Sequence, residues 1–309
     1  MIWRQAQQDQ HSAYARRQQQ PQRPRLRDAQ PSGPGCGVDP ARQNLLPRDH
    51  RRGGRARQRR SRCGGGCQVR QRDFDDPASL GHAFDGAKQV LIVSSNARAT
   101  GGDPLVQHAN AIKAAQDVGA GRFIYTSHMA ASTTSAFALM RDHAAMETML
   151  AQSGLNWTAL RHGFYASSGL AMLGDGLDKG VITAPQDGKV SWTAHTDLAQ
   201  AAAIILAQDG RFDGPTPPLT AGQQLDLDKI AANASDLLGR TVRRAVISED
   251  DLRQAMAGRG VPGRVADTAL GLYAAARTGE FATVDPTLAQ ILGRETTPLR
   301  QVLAHKLGL

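Results

Sequence analysis

The amino-acid sequence predicts an α/β fold, in which a doubly wound parallel sheet is followed by a small C-terminal α+β part. Three observations predict it. Short apolar runs alternate with amphipathic helical segments from Gln68 onward. These runs are continuously apolar, as in strands that are buried on both faces of a parallel sheet. Polar residues stand at the carboxyl ends of the runs, where such sheets bind their ligands.

The first predicted elements lie between residues 67 and 119. CQVRQ (67–71) is a short strand candidate, and DPASLGHAF (76–84) is a helix, because Pro77 suits its first turn. KQVLIVSS (88–95) has the apolar character of a buried parallel strand. A second helix (103–119) ends at a glycine, and its apolar stripe is formed by Leu105, Ala109, Ile112 and Ala115.

The next elements complete the predicted sheet. RFIYTS (122–127) is a strand, RDHAAMETMLAQSG (141–154) is a helix that a glycine closes, and LNWTALRHGFY (155–165) is a strand that runs into a loop. A polar side chain at one strand end is often no more than a helix cap or a turn residue. Four successive ends favour a ligand crevice, formed by Asp73, Phe74, Ser94, Ser95, Thr126, Ser127, His128, His162, Gly163, Phe164 and Tyr165.

The C-terminal third predicts a mixture of helices and short strands. In SWTAHTDLAQAAAIILAQ (191–208), Thr196 is the predicted N-cap of an Ala-rich helix that has Asp197 in its first turn. Tyr273 and Met256 either line an apolar pocket or pack in the core. The further segments are strands at 216–222 and 241–248 and helices at 225–239, 249–260 and 262–279.

The N-terminal segment, residues 1–66, has a different composition. Residues 1–62 contain 15 Arg, no Lys and 4 Asp, a net charge of +11, whereas residues 63–309 carry a net charge of −2. Apolar residues are too sparse to bury a face, so we expect disorder. The segment is a nucleic-acid-binding tail, an organelle-targeting peptide, a solvated tail without a role, or a stretch translated out of frame. The last interpretation explains best why order begins abruptly near Gln68.

Composition also excludes several classes of protein. The sequence contains no apolar run of about 18 residues and no secretory signal, so we expect a cytoplasmic protein without a membrane partner. The body is close to neutral and the tail lacks interleaved aromatic residues, which argues against nucleic acid as a partner. The spacing of Cys36, Cys63 and Cys67 matches neither a disulfide framework nor a metal site, and no metal is expected.

Four segments carry a resemblance to a known family: VRQRDFDDPASLGHAFDGAKQVLIVSS, AAQDVGAGRFIYTS, DHAAMETMLAQSGLNWTALRHGFY and WTAHTDLAQAAA. They resemble the NmrA-like branch of the atypical short-chain dehydrogenases/reductases, and within it the type-2 NAD(P)H:quinone oxidoreductases. The resemblance extends from about Gln68 to the C-terminus. It implies a Rossmann-like cofactor domain (67–214), a C-terminal substrate-binding or lid region (215–309), and NADP(H) as cofactor, with NAD(H) as the alternative.

The resemblance also implies roles for single residues. Asp73, next to Phe74, would lie near the adenine, Ser94 and Ser95 would pass the cofactor ribose, and Thr126 and Ser127 would lie beside the nicotinamide. We expect further cofactor contacts from His143 and Gly163. The substrate contacts are expected from His128, Phe164 and Tyr165.

The sequence departs from the family in two places. No GxxGxxG phosphate loop occurs, so the first βαβ half of the fold is missing or replaced, and the cofactor should bind weakly. The Tyr and Lys that most short-chain dehydrogenases use for proton transfer are represented by Leu139 and His143. His143, oriented by Glu147 one turn later, is therefore the candidate catalytic residue, with a surface His–Glu pair as the alternative.

Two functions fit these observations. One is NAD(P)H-dependent hydride transfer to a small quinone-type acceptor, impaired by the loss of the phosphate loop. The other is a non-catalytic NAD(P)-binding redox sensor of the NmrA type that regulates a partner protein. Steady NADPH oxidation with a simple quinone distinguishes the first function from the second.

Overall fold

Four parallel strands form the central sheet of this computed structural model, which describes residues 70–309. Across the sheet they run in the order β1 (Gln89–Ile92), β2 (Arg122–His128), β3 (Trp157–His162) and β7 (Gly214–Pro215). The last residues of β2 and β3, His128 and His162, are register partners. The parallel α/β sheet predicted from the sequence is confirmed.

Three helices pack against this sheet as the sequence predicts. They are α1 (Pro77–Phe84), α2 (Pro104–Asp117) and α3 (Ala138–Gln152). Asp76 caps α1 by accepting from two backbone N–H groups of its first turn. The predicted stripe of α2 was wrong at one position, because Ala109 is exposed and the neighbouring His108 is buried in the apolar face instead.

Two small parallel ribbons extend the fold beyond β3. In one ribbon, β4 (Phe164–Tyr165) pairs with β6 (Trp192–Thr193), and in the other, β5 (Val181–Ala184) pairs with β8 (Arg243–Val246). The remaining helices are α4 (Ala166–Met172), α5 (Gly176–Lys179), α6 (His195–Ala207), α7 (Leu227–Leu238), α8 (Glu249–Gly258), α9 (Gly263–Arg277), α10 (Thr287–Leu292) and α11 (Leu299–Leu307).

Three sequence predictions of local structure need correction. Thr196 is not the N-cap of α6, because the helix begins at His195, two residues earlier than that cap implies, and its cap position is Ala194, which has no side chain able to accept a hydrogen bond. The predicted strand at 216–222 is reduced to a single bridge between Leu219 and His162. Residues 70 and 71 form no strand, while 67–69 lie outside the described residues, as do the basic segment and all three cysteines.

The core consists of separate apolar clusters on the two sides of the sheet and in the C-terminal part. Phe123 and Met146 belong to the side covered by α1, α2 and α3, whereas Ile124 and Leu160 face α6 and α10. The C-terminal cluster includes Phe281 and Tyr273, and Met256 packs in a smaller one. Tyr273 and Met256 are thus core residues. The C-terminal cluster includes residues of α7, α9 and α11, and the smaller one is formed by α8, α9 and the turn between them.

A buried carboxylate ties the end of the chain to α6. Asp197 is fully buried and accepts hydrogen bonds from the backbone N–H and the hydroxyl of Thr297, at 2.6 and 3.0 Å, and from Arg294 at 2.8 Å. These bonds satisfy a carboxylate that would otherwise be costly to bury. Within residues 70–309, no helix has the length and apolar character needed to cross a membrane.

Candidate active site

The carboxyl ends of β1 and β2 are joined by hydrogen bonds. The backbone N–H of Ser94 donates to Oγ1 of Thr126 at 2.8 Å, and that of Ser95 donates to Nε2 of His108 at 2.9 Å. The Ser95 hydroxyl donates to Gln107. The structure therefore brings the predicted residues Ser94, Ser95 and Thr126 together at one edge of the sheet.

His143 reaches this edge from α3 and bonds to a residue that the sequence did not single out. Its Nδ1 lies 2.9 Å from the hydroxyl of Tyr125 on β2. Burial, reinforced by His108, lowers the pKa of His143 to about 4, and burial raises the pKa of Tyr125 well above its usual value. Both groups are therefore neutral near pH 7.

A row of histidines lines the same edge, formed by His108, His143, His128 and His162. The rings of His128 and His143 are 5.9 Å apart, and the backbone N–H of Ala130 donates to Nδ1 of His128 at 3.2 Å. Burial lowers the pKa of His128 well below the usual range and that of His162 to about 3, with smaller contributions from neighbouring histidines. Among the described residues, Nδ1 of His108 and Nε2 of His162 are buried without a hydrogen-bond partner.

The predicted contact between Glu147 and His143 was wrong. Glu147 accepts from the guanidinium of Arg161, at 2.6 and 3.0 Å, and from the hydroxyl of Ser127 at 2.6 Å. These partners lie on β3 and β2. A charged guanidinium with two donors binds a carboxylate more strongly than a neutral imidazole does, so Arg161 takes the carboxylate. Ser127 is thereby engaged in a structural bond to Glu147.

Asp73 and Phe74 lie in the turn before α1. Asp73 accepts from the backbone N–H of Asp75 at 3.0 Å, and its own N–H donates to the hydroxyl of Ser79 at 2.8 Å. The side chain of Asn110 on α2 donates to the carbonyl of Phe74 at 2.9 Å. These contacts fix the turn against α2, and an adenine role for Asp73 stays a prediction.

The residues after β3 pack tightly. A Cβ on Gly163 would come within 2.2 Å of Oγ1 of Thr193, so packing alone explains this glycine. Phe164 is buried in the C-terminal cluster, with its ring 4.9 Å from that of Phe281. The Tyr165 hydroxyl lies 3.3 Å from Nδ1 of His162, and its ring is 4.2 Å from that of His195. Tyr165 is half-buried, whereas Phe164 supports the site from within the core.

The C-terminal part contributes to this edge directly. Phe281 is fully buried, and its ring lies 5.7 Å from that of His128 and 6.1 Å from that of Phe137. The preceding residue, Glu280, accepts from the backbone N–H of Ala136 at 3.1 Å and from the hydroxyl of Ser135. The loop that joins β2 to α3 is therefore held by residues from the end of the chain.

His108, Tyr125 and Phe281 belong to this edge but were not predicted from the sequence. A histidine within the stripe of α2 was a usable signal, because a buried imidazole needs a hydrogen-bond partner. Tyr125 stands inside an apolar strand, where a core position is the ordinary interpretation of a tyrosine. Nothing in the sequence around Phe281 points to the site.

The donor groups at this edge suit one end of a nicotinamide cofactor. Hydroxyls and neutral imidazoles match the uncharged carboxamide and ribose, and the hydroxyls of Ser94, Ser95 and Thr126 are the groups that the resemblance implies for that end. The backbone N–H groups of Ser94 and Ser95 already donate to Thr126 and His108. A pyrophosphate needs several converging backbone amides or cations, and residues 1–69, where the family carries its phosphate loop, lie outside the described residues. Residues 70–309 contain no group of three His, Cys, Asp or Glu side chains that could hold a metal ion.

Comparisons with known proteins identify the family of this chain. A protein-family model described as NAD(P)H-binding matches residues 44–209 of this chain. Quinone oxidoreductase 2 of Escherichia coli is 33% identical over 241 residues, which cover 78% of this chain and 82% of that protein. An NmrA-like family domain-containing oxidoreductase of Aspergillus flavus is 29% identical over 248 residues, covering 78% and 80%.

A solved structure shows the same fold. The crystal structure of an NADPH-dependent quinone oxidoreductase from Escherichia coli, complexed with NADPH, is similar with a TM-score of 0.72 and 31% identity. It covers 79% of this chain and 85% of that chain. The predicted fold class, the predicted nicotinamide cofactor and the resemblance are confirmed.

Proposed function

Since the chain belongs to the NAD(P)H-binding, NmrA-like family of oxidoreductases, we propose that it reduces a small quinone-type acceptor. The names of the E. coli relatives support the acceptor class. The observation that carries the proposal is the hydrogen bond between Tyr125 and His143, which sets a neutral imidazole beside the strand ends where the nicotinamide is expected.

The chemistry requires a hydrogen-bond donor at the acceptor. NAD(P)H, when bound, supplies a hydride, and the quinone becomes a hydroquinone after taking one proton that comes from solvent. Negative charge develops on a quinone oxygen before that proton arrives. A donor fixed in a largely buried site stabilises such charge more than water does, because the donor is already oriented. His143 is the donor in this proposal.

Turnover by this chain is impaired in the same proposal. The sequence contains no GxxGxxG motif, so the backbone amides that bind the pyrophosphate in the family have no recognisable counterpart. The described residues supply hydroxyls and imidazoles, which serve the nicotinamide end. Weak cofactor binding would then limit the rate, and the residues around the nicotinamide would not.

The test compares two proteins. Quinone-dependent NADPH oxidation is measured for the 309-residue chain and for a chimera in which a strand–GxxGxxG–helix segment of the family pattern replaces residues 1–66. We expect slow oxidation by the chain and fast oxidation by the chimera. A chimera that binds NADPH tightly and reduces no quinone contradicts the proposed activity, and equal rates contradict the impairment.

A redox sensor of the NmrA type is the second candidate. One observation favours it: neither Tyr125 nor His143 has a pKa that would let it exchange a proton near pH 7. A site without a group that exchanges protons near pH 7 suits cofactor binding without catalysis as well as it suits catalysis. The chimera decides here also, since tight binding without turnover is the result expected for a sensor.

A further inference from the structure

We propose that Tyr125 is a positioning residue that fixes His143 as the tautomer with its proton on Nε2. The consequence for turnover rests on the proposed function, whereas the tautomer itself does not. Tyr125 does not touch the acceptor in this proposal. It acts through the imidazole of His143, which is half-buried and connects α3 to β2 by its hydrogen bond with Tyr125.

The direction of the hydrogen bond follows from what surrounds the hydroxyl. Tyr125 is 1% exposed, and among residues 70–309 Nδ1 of His143, at 2.9 Å, is the one hydrogen-bond partner of its hydroxyl. If His143 donated from Nδ1, the O–H of Tyr125 would be buried without an acceptor, which is costly. If Tyr125 donates, its proton is satisfied. Nδ1 is then the acceptor and Nε2 carries the proton of the neutral ring.

The titration behaviour of both groups supports this direction. Burial raises the pKa of Tyr125, so the phenol keeps its proton at every ordinary pH. Burial lowers the pKa of His143 to about 4, so the ring is neutral and Nδ1 is free to accept. The geometry alone gives the same assignment.

A second contact holds the phenol itself. The ring of His108 meets that of Tyr125 edge-on, with 5.2 Å between centroids. His108 is in turn anchored by the N–H of Ser95, which donates to Nε2 at 2.9 Å. The end of β1 is thereby connected through His108 and Tyr125 to His143. Each ring in this series is fixed by the one before it.

The tautomer decides what His143 can offer to an acceptor. With its proton on Nε2, the ring nitrogen that Tyr125 leaves unoccupied is a hydrogen-bond donor, and a neutral donor can stabilise a developing oxyanion. With the proton on Nδ1, the same nitrogen would present a lone pair and repel that charge. Tyr125 thus excludes the unproductive form.

Nitrogen-15 NMR of the histidine rings in the full chain tests the proposal directly. We expect a protonated Nε2 and an unprotonated Nδ1 for His143 in the unaltered protein, and a mixture of tautomers in Tyr125→Phe. The control is Tyr273→Phe, which removes another buried phenol hydroxyl, in the C-terminal cluster, and should leave the His143 signals unchanged. A proton on Nδ1 in the unaltered chain, or the same tautomer in Tyr125→Phe, overturns the proposal.

Turnover is the second readout. At one fixed NADPH concentration, quinone reduction by the full chain should show an apparent kcat about tenfold lower in Tyr125→Phe, the effect of one lost hydrogen bond, with little change in the apparent KM for the quinone. An unchanged kcat overturns the positioning role. If the chimera that carries a phosphate loop binds NADPH and reduces no quinone, the proposed function fails, and the tautomer result still stands on the NMR spectra.

Discussion

The carboxylate of Glu147 accepts two hydrogen bonds from the guanidinium of Arg161, at 2.6 and 3.0 Å. The pair is largely removed from solvent, with 9% of the Glu147 side chain and 32% of the Arg161 side chain exposed. It ties α3, the helix that carries His143, to β3. The position of His143 therefore depends on an ion pair in which His143 takes no part.

Replacing Glu147 with Ala should destabilise the protein, because it leaves Arg161 half-buried without its counter-charge and Ser127 without its acceptor. We expect a loss of about 2–3 kcal/mol in the free energy of unfolding, measured by urea denaturation. The control, Asp117→Ala, breaks an exposed pair with Lys113 one turn away and should cost about 0.5 kcal/mol or less. Equal losses in the free energy of unfolding for the two variants would show that the buried pair stabilises the protein no more than the exposed pair does.

Replacing His143 with Ala should impair quinone reduction without unfolding the protein, because the half-buried ring can be removed while its neighbours remain packed. The decrease in kcat should be about tenfold or more. The matched control is His305→Ala, an exposed histidine near the C-terminus, which should turn over as the unaltered chain does. Normal quinone reduction by His143→Ala would make the histidine structural.

Acid should destabilise the folded chain. Burial lowers the pKa of His108 and His143 to about 4 and that of His162 to about 3, all below the value of about 6.5 in an unfolded chain. Below pH 6.5 the unfolded state therefore binds more protons, and stability falls as the pH drops toward 4. Near pH 5 the three histidines together contribute a slope of about 4 kcal/mol per pH unit.

A single substitution isolates this contribution. His162→Gln removes one of the three groups, so its slope between pH 5 and 6 should be smaller by about 1.4 kcal/mol per pH unit. Urea unfolding at several pH values measures both proteins. If the free energy of unfolding depends on pH in the same way in the variant and in the unaltered chain, His162 is not held neutral by its surroundings.

The 309-residue chain should bind NADPH poorly. Losing three hydrogen bonds to a charged phosphate, at about 1.5–3 kcal/mol each, weakens binding by roughly three to six orders of magnitude. A micromolar site would then fall to millimolar or weaker, which a titration of nicotinamide fluorescence can measure. Micromolar binding by the unaltered chain would show that residues 1–66 build a phosphate site despite their sequence.

The sheet and its helices could be predicted because their signals are local. A continuous apolar run such as residues 88–95 leaves few alternatives to a buried strand, and Pro77 and Gly154 mark helix boundaries by their backbone preferences. The predictions that were wrong depend on contacts between segments that are distant in the sequence. Ala109 was placed in the core because apolar character was preferred over the need of His108 for a partner, which Ser95 supplies.

The site could be located from the sequence, but its bonds could not be assigned. The strand ends identified Ser94, Ser95 and Thr126 because parallel strands bring their carboxyl ends to one edge. The spacing of His143 and Glu147 predicted a contact that Arg161 prevents, and Arg161 reaches Glu147 from another strand. Helical spacing shows which side chains share a face. It does not show which partner a neighbouring strand will offer.

Phe281 is the last part of this edge to leave the ribosome. His128, Phe137 and Phe164 are made much earlier, and until Phe281 is made their rings lack the partner that lies 4.9 to 6.1 Å away in the folded chain. A nascent chain at that stage has its sheet but an exposed aromatic surface, a target for chaperones and for aggregation. Completion of the site is therefore a late event in biosynthesis. A premature stop shortly before residue 281 should yield an aggregation-prone, incompletely folded protein rather than a smaller enzyme.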